Sequence, residues 1–316
     1  MKLKKKDEKL ILIAEENAID NSGEKRGDAV RKFSDQLAIR LKRKIDLVHI
    51  AGLTDFPDLT RRAQSEIRSS LRDRLVRLKT LEKSLSAFSK ASFISGDPVD
   101  ELLNLANQID IYEMISVGTH GRRGIRRIFL GSVSESLIRL SKIPVMIIGP
   151  SAVGNSADFL GDKKISLLIP TSLTANSIPA EKYAMRLALL LGARVEFFHC
   201  MHDALHPVLQ TAFSAPQLSP AIYEYIAETK ALAMKQLALK TKLARKMGIE
   251  ATALLDSKTR SSTDAVLMEV KRSKPSLIIM GTHGHSLLAG AFFGRTLRDV
   301  ILAAPTPVIS VRSKRS

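Results

Sequence analysis

Short apolar runs alternate with longer amphipathic stretches along the chain. In the first half these runs are Leu10–Ala14, 47–50, 91–94, 114–117 and Val145–Ile148. Short runs that are apolar at nearly every position are typical of parallel strands buried on both faces. Stretches with apolar residues at helical spacing lie between them. The pattern therefore predicts an α/β fold, with a parallel five-stranded sheet and helices on both faces.

The helices are predicted from periodicity and from the residues at their ends. Apolar residues recur at helical spacing over 30–41, and a long amphipathic helix is predicted over 67–85. A Gly-Asp-Pro turn follows the third apolar run. Asp97 is a suitable N-cap there and Pro98 a suitable first helical residue, so a further helix is expected to begin at this turn.

The second half of the chain repeats this order. A long helix is predicted over 221–247, and an additional loop without periodicity over 203–220. The strands predicted in this half are 167–169, 195–200, 251–255, 277–280 and 308–311.

A repeated glycine motif shows that the two halves are related. Gly118-Thr119-His120-Gly121 recurs 163 residues later as Gly281-Thr282-His283-Gly284, and Gly131 and Gly294 are separated by the same offset. Because related repeats adopt the same fold, the chain is predicted to be a tandem of two similar domains. Domain 1 is expected over 1–150 and domain 2 over 160–316, with a polar linker over 149–164.

The glycine motif of domain 1 lies between a predicted strand and a predicted helix. It reads G-x2-G-x9-G-S from Gly118 to Ser132. Glycines allow the backbone to approach an anion closely, and the free N–H groups of a first helical turn attract phosphate. The plain alternative is a strand-to-helix crossover that happens to contain glycines.

This spacing resembles the nucleotide motif of the universal stress protein family, and residues 133–136 and 142–148 are similar to that family as well. The resemblance covers nearly the whole chain. It implies two flavodoxin-like (Rossmann-type) domains, each with the strand order 3-2-1-4-5. It also implies a cytoplasmic stress-response protein that binds ATP or AMP, with or without Mg²⁺. The residues that it places at the nucleotide are Ala14, Glu15, Glu16, Ile50, Gly118, His120, Gly121, Gly131, Ser132, Val133 and Ser134.

The resemblance also implies roles for these residues. The glycine loop and the helix start would surround the ribose and phosphates, with the hydroxyls of Ser132 and Ser134 donating to phosphate oxygens. Ile50 aligns with the residue whose backbone meets the base. Glu16 aligns with an Asp of the family that contacts the adenine side. Glutamate is one methylene longer than aspartate, so Glu16 is a weaker indication of adenine than the glycine motif is of phosphate.

Domain 2 departs further from the family motif. Arg295 follows Gly294 where a Ser or Thr is expected, and Ser172 stands in the carboxylate position. An arginine at a helix start is unfavourable for the helix dipole unless an anion is bound. Domain 2 is therefore expected to bind nucleotide weakly or not at all, and to act as a structural partner or as a site for another anion.

Catalytic turnover is not expected to be efficient. The chain has no Gly-x4-Gly-Lys-[Ser/Thr] loop, and no acidic pair for Mg²⁺ adjoins the glycine motif. No catalytic residue is therefore assigned, and at most a weak ATPase is expected. Two alternatives stay open: a slow ATP hydrolase, and a basic module for nucleic acid or acidic partners that uses the net charge of +17. The absence of Trp and the presence of only four Tyr disfavour single-stranded nucleic acid.

His199, Cys200, His202 and His206 resemble a metal cluster in composition. His199 repeats His49 of the other domain, which indicates a strand-end feature of the fold, so no metal is expected. The single cysteine excludes an intramolecular disulfide framework, and no apolar run approaches the ~20 residues of a membrane helix. Both observations favour a cytoplasmic protein.

The fifth strand of each domain is apolar, and an exposed strand edge can pair with another. The resemblance implies that such strands do pair. The two domains are therefore expected to form an internal pseudo-dimer, and two chains a homodimer.

Overall fold

The structure, a computed structural model, describes residues 9–15, 21–51, 76, 80–119, 130–156, 159–161, 164–202, 205, 208, 219–258, 260–282 and 294–313. Contacts between residues divide the chain into two units, Met1–Gly161 and Asp162–Ser316.

Unit 1 is built around five parallel strands in the order β3-β2-β1-β4-β5. Its central strands are buried on both faces, as the successive residues Ile11, Leu12 and Ile13 of β1 show, because neighbouring side chains of a strand point to opposite faces and all three are buried. Its described strands are β1 (Leu10–Ala14), β2 (Ile45–Ala51), β3 (Phe88–Ser95), β4 (Tyr112–Gly118) and β5 (Val145–Ile148). Its described helices are α1 (Asn21–Leu41), α2 (Pro98–Ala106) and α3 (Ser132–Leu140).

Unit 2 repeats this architecture with the order β10-β9-β6-β7-β8. Its described strands are β6 (Ser166–Pro170), β7 (Arg194–Cys200), β8 (Ala251–Asp256), β9 (Leu277–Gly281) and β10 (Val308–Val311). Its described helices are α4 (Ile178–Leu191), α5 (Ser219–Lys246), α6 (Ser262–Ser273) and α7 (Arg295–Ala303). The predicted fold class of two flavodoxin-like units is therefore confirmed.

The strand predictions place every observed strand, and most differ from the structure only by short extensions at the ends. The predicted start of α2 is also observed. The Asp97 carboxylate accepts from the amides of Val99 at 2.9 Å and Asp100 at 3.1 Å, and Pro98 is the first helical residue. Most of the predicted helix over 67–85, and most of the loop over 203–220, lie outside the described residues.

The segment predicted as a linker packs partly on unit 1. Val153–Asn155 forms a short 3-10 turn, and the Gln36 side chain donates to the Ser156 carbonyl at 2.8 Å. Phe159 packs edge-on against Phe33 of α1, with ring centroids 4.7 Å apart. Because these contacts fix the segment on α1, the division between the units falls after Gly161.

None of the described helices is both long enough and apolar enough to span a membrane.

Candidate functional site

The strand order of unit 1 reverses at β1, which pairs with β2 on one side and with β4 on the other. Ala14 pairs with Val48 of β2, and Ile13 pairs with Ser116 of β4. The carboxyl ends of β1 and β4 therefore lie side by side. Ligands of open α/β sheets bind at such a switch point. We call the region formed by the ends of β1 and β4 and the start of α3 the switch-point cleft.

Gly118 ends β4 at this cleft. Its φ lies outside the left-handed region, and a Cβ built there would lie 3.6 Å from Cγ2 of Val30, an ordinary contact. Neither its backbone conformation nor its packing against the described residues therefore requires glycine. The absence of a side chain here leaves the strand end open to a ligand.

Helix α3 begins beside this strand end without a side-chain cap. The amide of Gly131, the N-cap residue, donates to the Thr119 carbonyl at 2.5 Å, which ties the helix start to the end of β4. Gly131 has no side chain that could accept a hydrogen bond from the first helical turn. The N–H groups of Ser132 and Val133 belong to the first turn, where a helix supplies no acceptor. Ser132 is exposed, and its neighbours Gly131 and Val133 are partly exposed.

Ser134 corrects one of the sequence-based roles. Its side chain is buried, and its hydroxyl donates to the Gly118 carbonyl at 2.5 Å. A hydroxyl has one proton to donate. The role expected for Ser134, donation to a phosphate oxygen, is therefore replaced by a bond that fastens α3 to β4.

Glu15 follows β1 and forms a buried ion pair with α1. Its carboxylate lies 2.8 Å from Nη1 of Arg31, and the two side chains are only 4% and 7% exposed. A Cβ at Gly27 would lie 3.1 Å from the Glu15 carboxylate and 3.2 Å from the Arg31 guanidinium. Gly27 thus leaves room for the pair. The periodicity that predicted α1 carried no signal for Arg31 or Gly27.

The remaining predicted site residues are distributed around the same strand ends. Ala14 and Val133 are partly exposed, and Ile50 is buried near the end of β2, opposite Ile94 of β3. Ala14, Gly118 and Gly131 therefore belong to elements that the fold brings together, and Ile50 ends the neighbouring strand. Glu16, His120 and Gly121 lie outside the described residues.

Unit 2 has the same backbone arrangement at its own switch point. The Gly294 amide donates to the Thr282 carbonyl at 2.8 Å, and α7 begins at the next residue without a side-chain cap from Gly294. The first helical residue is Arg295, whose side chain is 94% exposed and lies 3.7 Å from the Asp299 carboxylate. The two units thus share this backbone geometry and differ in the side chain at the first helical position.

The turn after β6 is closed by its own side chains. The Ser172 hydroxyl lies 2.8 Å from the Thr174 hydroxyl and 2.7 Å from the Ser177 hydroxyl, and the Ser177 hydroxyl also accepts from the Ser172 amide at 2.9 Å. Ser172 is the residue that replaces the family's carboxylate in this unit. Its hydrogen bonds are therefore directed into the turn rather than towards a ligand.

A buried carboxylate network adjoins this turn. Thr171 donates to Glu181 at 2.5 Å, and the ammonium group of Lys240 lies 2.6 Å from the other carboxylate oxygen. Glu181 is 5% exposed. Unit 2 thus stabilises its first strand end through a carboxylate on α4 and a lysine on α5, whereas unit 1 uses Glu15 and Arg31.

The histidines at the ends of β2 and β7 have equivalent bonds. Nδ1 of His49 lies 2.8 Å from the Glu15 carbonyl, and Nδ1 of His199 lies 2.8 Å from the Thr171 carbonyl. Each ring links the second strand of its unit to the first, so the strand-end interpretation is confirmed. Among the described residues, no three His, Cys, Asp or Glu side chains are grouped to hold a metal.

Two perturbed groups lie near the amino ends of the strands, away from the cleft. Burial, reinforced by the neighbouring Asp46 carboxylate, raises the pKa of Tyr112 above its usual range, and the phenol donates to that carboxylate at 3.0 Å. Burial also raises the pKa of Glu196 in β7 to about 7. The nearby Glu269 adds to this shift, whereas Arg272 opposes it.

Comparison with known proteins identifies the same two units. A model of the universal stress protein family matches residues 17–149 and again residues 166–312. A universal stress protein of Mycobacterium tuberculosis is 24% identical over 228 residues, which is 71% of this chain and 68% of that protein. The universal stress protein YxiE of Bacillus subtilis is 36% identical over 70 residues. That match covers 22% of this chain and less than half, 45%, of the relative.

Solved structures show a similar fold over both units. A universal stress protein from Archaeoglobus fulgidus superimposes with a TM-score of 0.63 at 19% identity, over 96% of both chains. A structure described as a putative universal stress protein from Pseudomonas aeruginosa has a TM-score of 0.53 at 13% identity, over 97% of this chain and 94% of its own.

Proposed function

The chain belongs to the universal stress protein family, and from this premise we propose that unit 1 binds an adenine nucleotide, ATP or AMP, at the switch-point cleft. The bound nucleotide would act through conformation or partner binding rather than through efficient turnover. Unit 2 would bind nucleotide weakly or not at all.

The observation that carries this proposal is the start of α3. Its first turn is uncapped, the Ser132 hydroxyl is exposed beside it, and Gly118 leaves the adjacent strand end without a side chain. Backbone N–H groups at a helix start favour phosphate, and a hydrogen bond to a charged group contributes about 1.5–3 kcal/mol. A phosphate at this turn directs the rest of the nucleotide along the strand ends, towards Ala14 and Ile50.

The expected difference in nucleotide binding between the units rests on the turn after β6 and on the start of α7. Ser172 is held by Thr174 and Ser177, and Arg295 replaces the serine at the helix start. The positions that would meet the adenine side and a phosphate in unit 1 thus carry other residues in unit 2, and Ser172 is already engaged within its turn. The expected stoichiometry is therefore one nucleotide per chain.

The first test identifies the nucleotide that copurifies with the protein, by mass spectrometry of the denatured supernatant. Titration calorimetry with ATP and with AMP, each with and without Mg²⁺, then measures affinity and stoichiometry. One site per chain is expected. Two sites of similar affinity, or no nucleotide bound under any of these conditions, would contradict the proposal.

The chain offers a matched pair of variants to locate the site. Gly118→Val places a branched side chain at the end of β4, and Gly281→Val does the same at the end of β9. Only Gly118→Val is expected to abolish binding. Loss of binding in both variants, or only in Gly281→Val, would place the ligand elsewhere.

The enzyme alternative is tested with the same variants. A hydrolase would release phosphate from ATP well above the buffer rate, and Gly118→Val would remove that activity. We expect release close to background, because efficient phosphoryl transfer needs a metal clamp and a positioned nucleophile.

We further propose a cytoplasmic location, an internal pseudo-dimer of the two units and a homodimer of the chain. Sedimentation of the intact protein tests the last of these. A species with the mass of one chain at micromolar concentration would contradict it.

A further inference from the structure

The open edge of the unit 2 sheet has a groove that the proposed nucleotide site does not use. The groove measures about 680 Å³ and lies between α5 and β8. Apolar parts of Met234, Leu237 and Ala238 line it from the helix, and Ala253 and Leu255 line it from the strand. It therefore offers an apolar floor.

The rim of this groove is cationic. Lys242, Arg245 and Lys246 are among its lining residues, and no Asp or Glu is found among the described residues that line it. Lys242 and Lys246 are exposed. The groove thus combines apolar contact surface with a positive rim, and an acidic amphipathic partner is complementary to that combination.

The hydrogen bonds of β8 show which backbone groups face the groove. The Val195 amide donates to the Glu250 carbonyl at 2.8 Å, and the Met201 amide donates to the Asp256 carbonyl at 2.9 Å. Successive residues of a strand direct their backbone groups to opposite sides, so even-numbered residues of β8 face β7 and odd-numbered residues face away.

Arg245 confirms this alternation. Its Nε and Nη2 atoms donate to the Ala251 carbonyl at 3.1 and 2.8 Å, from the side opposite β7. The next outward residues, Ala253 and Leu255, line the groove. β8 ends the strand order of unit 2, so no described strand pairs with the outward N–H and C=O groups of these two residues.

We propose that the groove binds an acidic segment of a partner protein, which adds to β8 as an extended strand. Backbone bonds to Ala253 and Leu255 hold the segment in register. Its alternate apolar side chains lie on the floor, and its carboxylates meet Lys242 and Lys246. Addition of a peptide strand to a sheet edge is a general recognition mode, in which backbone bonds supply affinity and side chains supply specificity.

Charge favours such a partner over a second copy of this chain. A symmetric contact through the groove would bring together two sets of the same three cations. Like charges placed across an interface oppose association, and the chain as a whole carries a net charge of +17.

The test uses the intact protein and a fluorescein-labelled peptide of alternating Val and Glu, about eight residues long. Fluorescence anisotropy is expected to rise with protein and to fall as salt is added. The same peptide with Lys in place of Glu is expected not to bind. Absence of binding by the acidic peptide, or equal binding of the two peptides, would overturn the proposal.

Charge reversal then locates the binding surface. The double variant Lys242→Glu/Lys246→Glu is expected to weaken binding at least ~10-fold. The double variant Lys182→Glu/Lys271→Glu makes the same change in net charge at exposed residues of unit 2 that do not line the groove. An equal loss in both double variants would mean that net charge alone attracts the peptide, and would overturn the proposal.

Ala253 tests strand addition itself. Proline is tolerated at a strand edge where its missing N–H faces outward, so Ala253→Pro removes an outward donor without breaking a bond to β7. It is expected to abolish binding, whereas Ala253→Val, which keeps the N–H group, is expected to retain it. Full binding by Ala253→Pro would exclude an added strand.

Two rival occupants have their own signatures. Sedimentation that shows a dimer dissociated by Lys242→Glu/Lys246→Glu would assign the groove to a second copy of the chain. Binding to phosphatidylglycerol vesicles that depends on the same lysines, without peptide binding, would assign it to a membrane surface. Either result would overturn the proposal.

Discussion

The two switch points have the same backbone arrangement and different side chains. In both units a glycine before the helix donates its amide to the carbonyl of a threonine, Gly131 to Thr119 and Gly294 to Thr282. The first helical residue is an exposed serine in unit 1 and an exposed arginine, Arg295, in unit 2. Backbone bonds do not depend on side-chain identity, so the two repeats keep this geometry although the side chain at the helix start differs.

The buried carboxylates next to the first strands show the same divergence. In unit 1, Glu15 directly follows β1 and pairs with Arg31 of α1. In unit 2, Glu181 lies on α4 and pairs with Lys240 of α5. In each unit a buried carboxylate and a cation, supplied by different elements of the fold, thus brace this end of the sheet.

The largest effect that separates the units is expected from Arg31→Leu. The change removes the buried guanidinium that pairs with the Glu15 carboxylate, which is expected to lower the free energy of unfolding by about 3–5 kcal/mol. Lys240→Leu in unit 2 is expected to cost less, because Lys240 is 20% exposed against 7% for Arg31. Urea unfolding, with hydrogen exchange to assign each transition to a unit, measures both.

Lys32→Leu is the matched control for this prediction. Lys32 is the next residue on α1, and its side chain is 54% exposed in an ion pair with Asp28. Exposed pairs contribute about 0–1 kcal/mol. If Arg31→Leu were no more destabilising than Lys32→Leu, the buried pair would not brace unit 1.

The next effect is on ligand binding, through Ser132→Glu at the start of α3. The new carboxylate would repel a bound phosphate and replace the Ser132 hydroxyl, so AMP binding is expected to weaken about 100-fold, or 2.7 kcal/mol. An acidic residue in a first helical turn is itself favourable by about 0.3–1 kcal/mol, so the variant is expected to fold normally. Titration calorimetry and thermal unfolding measure the two effects separately.

Arg295→Glu makes the corresponding change in unit 2. It is expected to leave the affinity and the stoichiometry of AMP binding as they are in the wild type. A loss of AMP binding in Arg295→Glu would show that the second helix start also binds the nucleotide, and that the units are less different than proposed.

The smallest expected effect concerns pH and Glu196 in unit 2. Its pKa is raised from 4.5 to about 7 in the folded chain. The folded state therefore binds this proton more tightly than the unfolded state. The resulting stabilisation is complete below pH 4.5 and is lost as the pH rises through 7.

Glu196→Gln removes this dependence while it keeps a side chain that can donate to Glu269. Between pH 5 and 8, the free energy of unfolding of the wild type is expected to fall by about 1 kcal/mol more than that of the variant. The difference is small because Glu196 is partly solvated. Urea unfolding across this pH range measures it, with exposed Glu224→Gln as the control. Parallel pH profiles for the wild type and Glu196→Gln would contradict the assignment.

The central strands of both units could be predicted from the sequence because each is a short, nearly continuous apolar run, whereas the less buried β3 and β8 also carry polar residues. A strand buried on both faces excludes polar residues from most positions, so it can be recognised in the sequence as an apolar run. The N-cap at Asp97 could be predicted for a similar reason, since the cap, the following proline and the bonded amides are near neighbours in sequence.

The polar contacts of the candidate site could not be predicted in this way. Glu15 and Arg31 are 16 residues apart, and Glu181 and Lys240 are 59 apart, so only the packing of helices on the sheet brings each pair together. Ser134 was expected to reach a ligand. Its hydroxyl instead donates to the Gly118 carbonyl, because α3 lies close enough to β4 for the Ser134 side chain to be buried between them.

The sequence by itself determined the repeat, the alternation of strands and helices, the family and the position of the glycine motif. These features depend on local periodicity or on residue identity at fixed spacing. The tertiary structure decided which polar groups at the strand ends already have a partner and which face solvent. That outcome depends on distances between elements remote in sequence, so Ser132, and not Ser134, is the hydroxyl exposed at the start of α3.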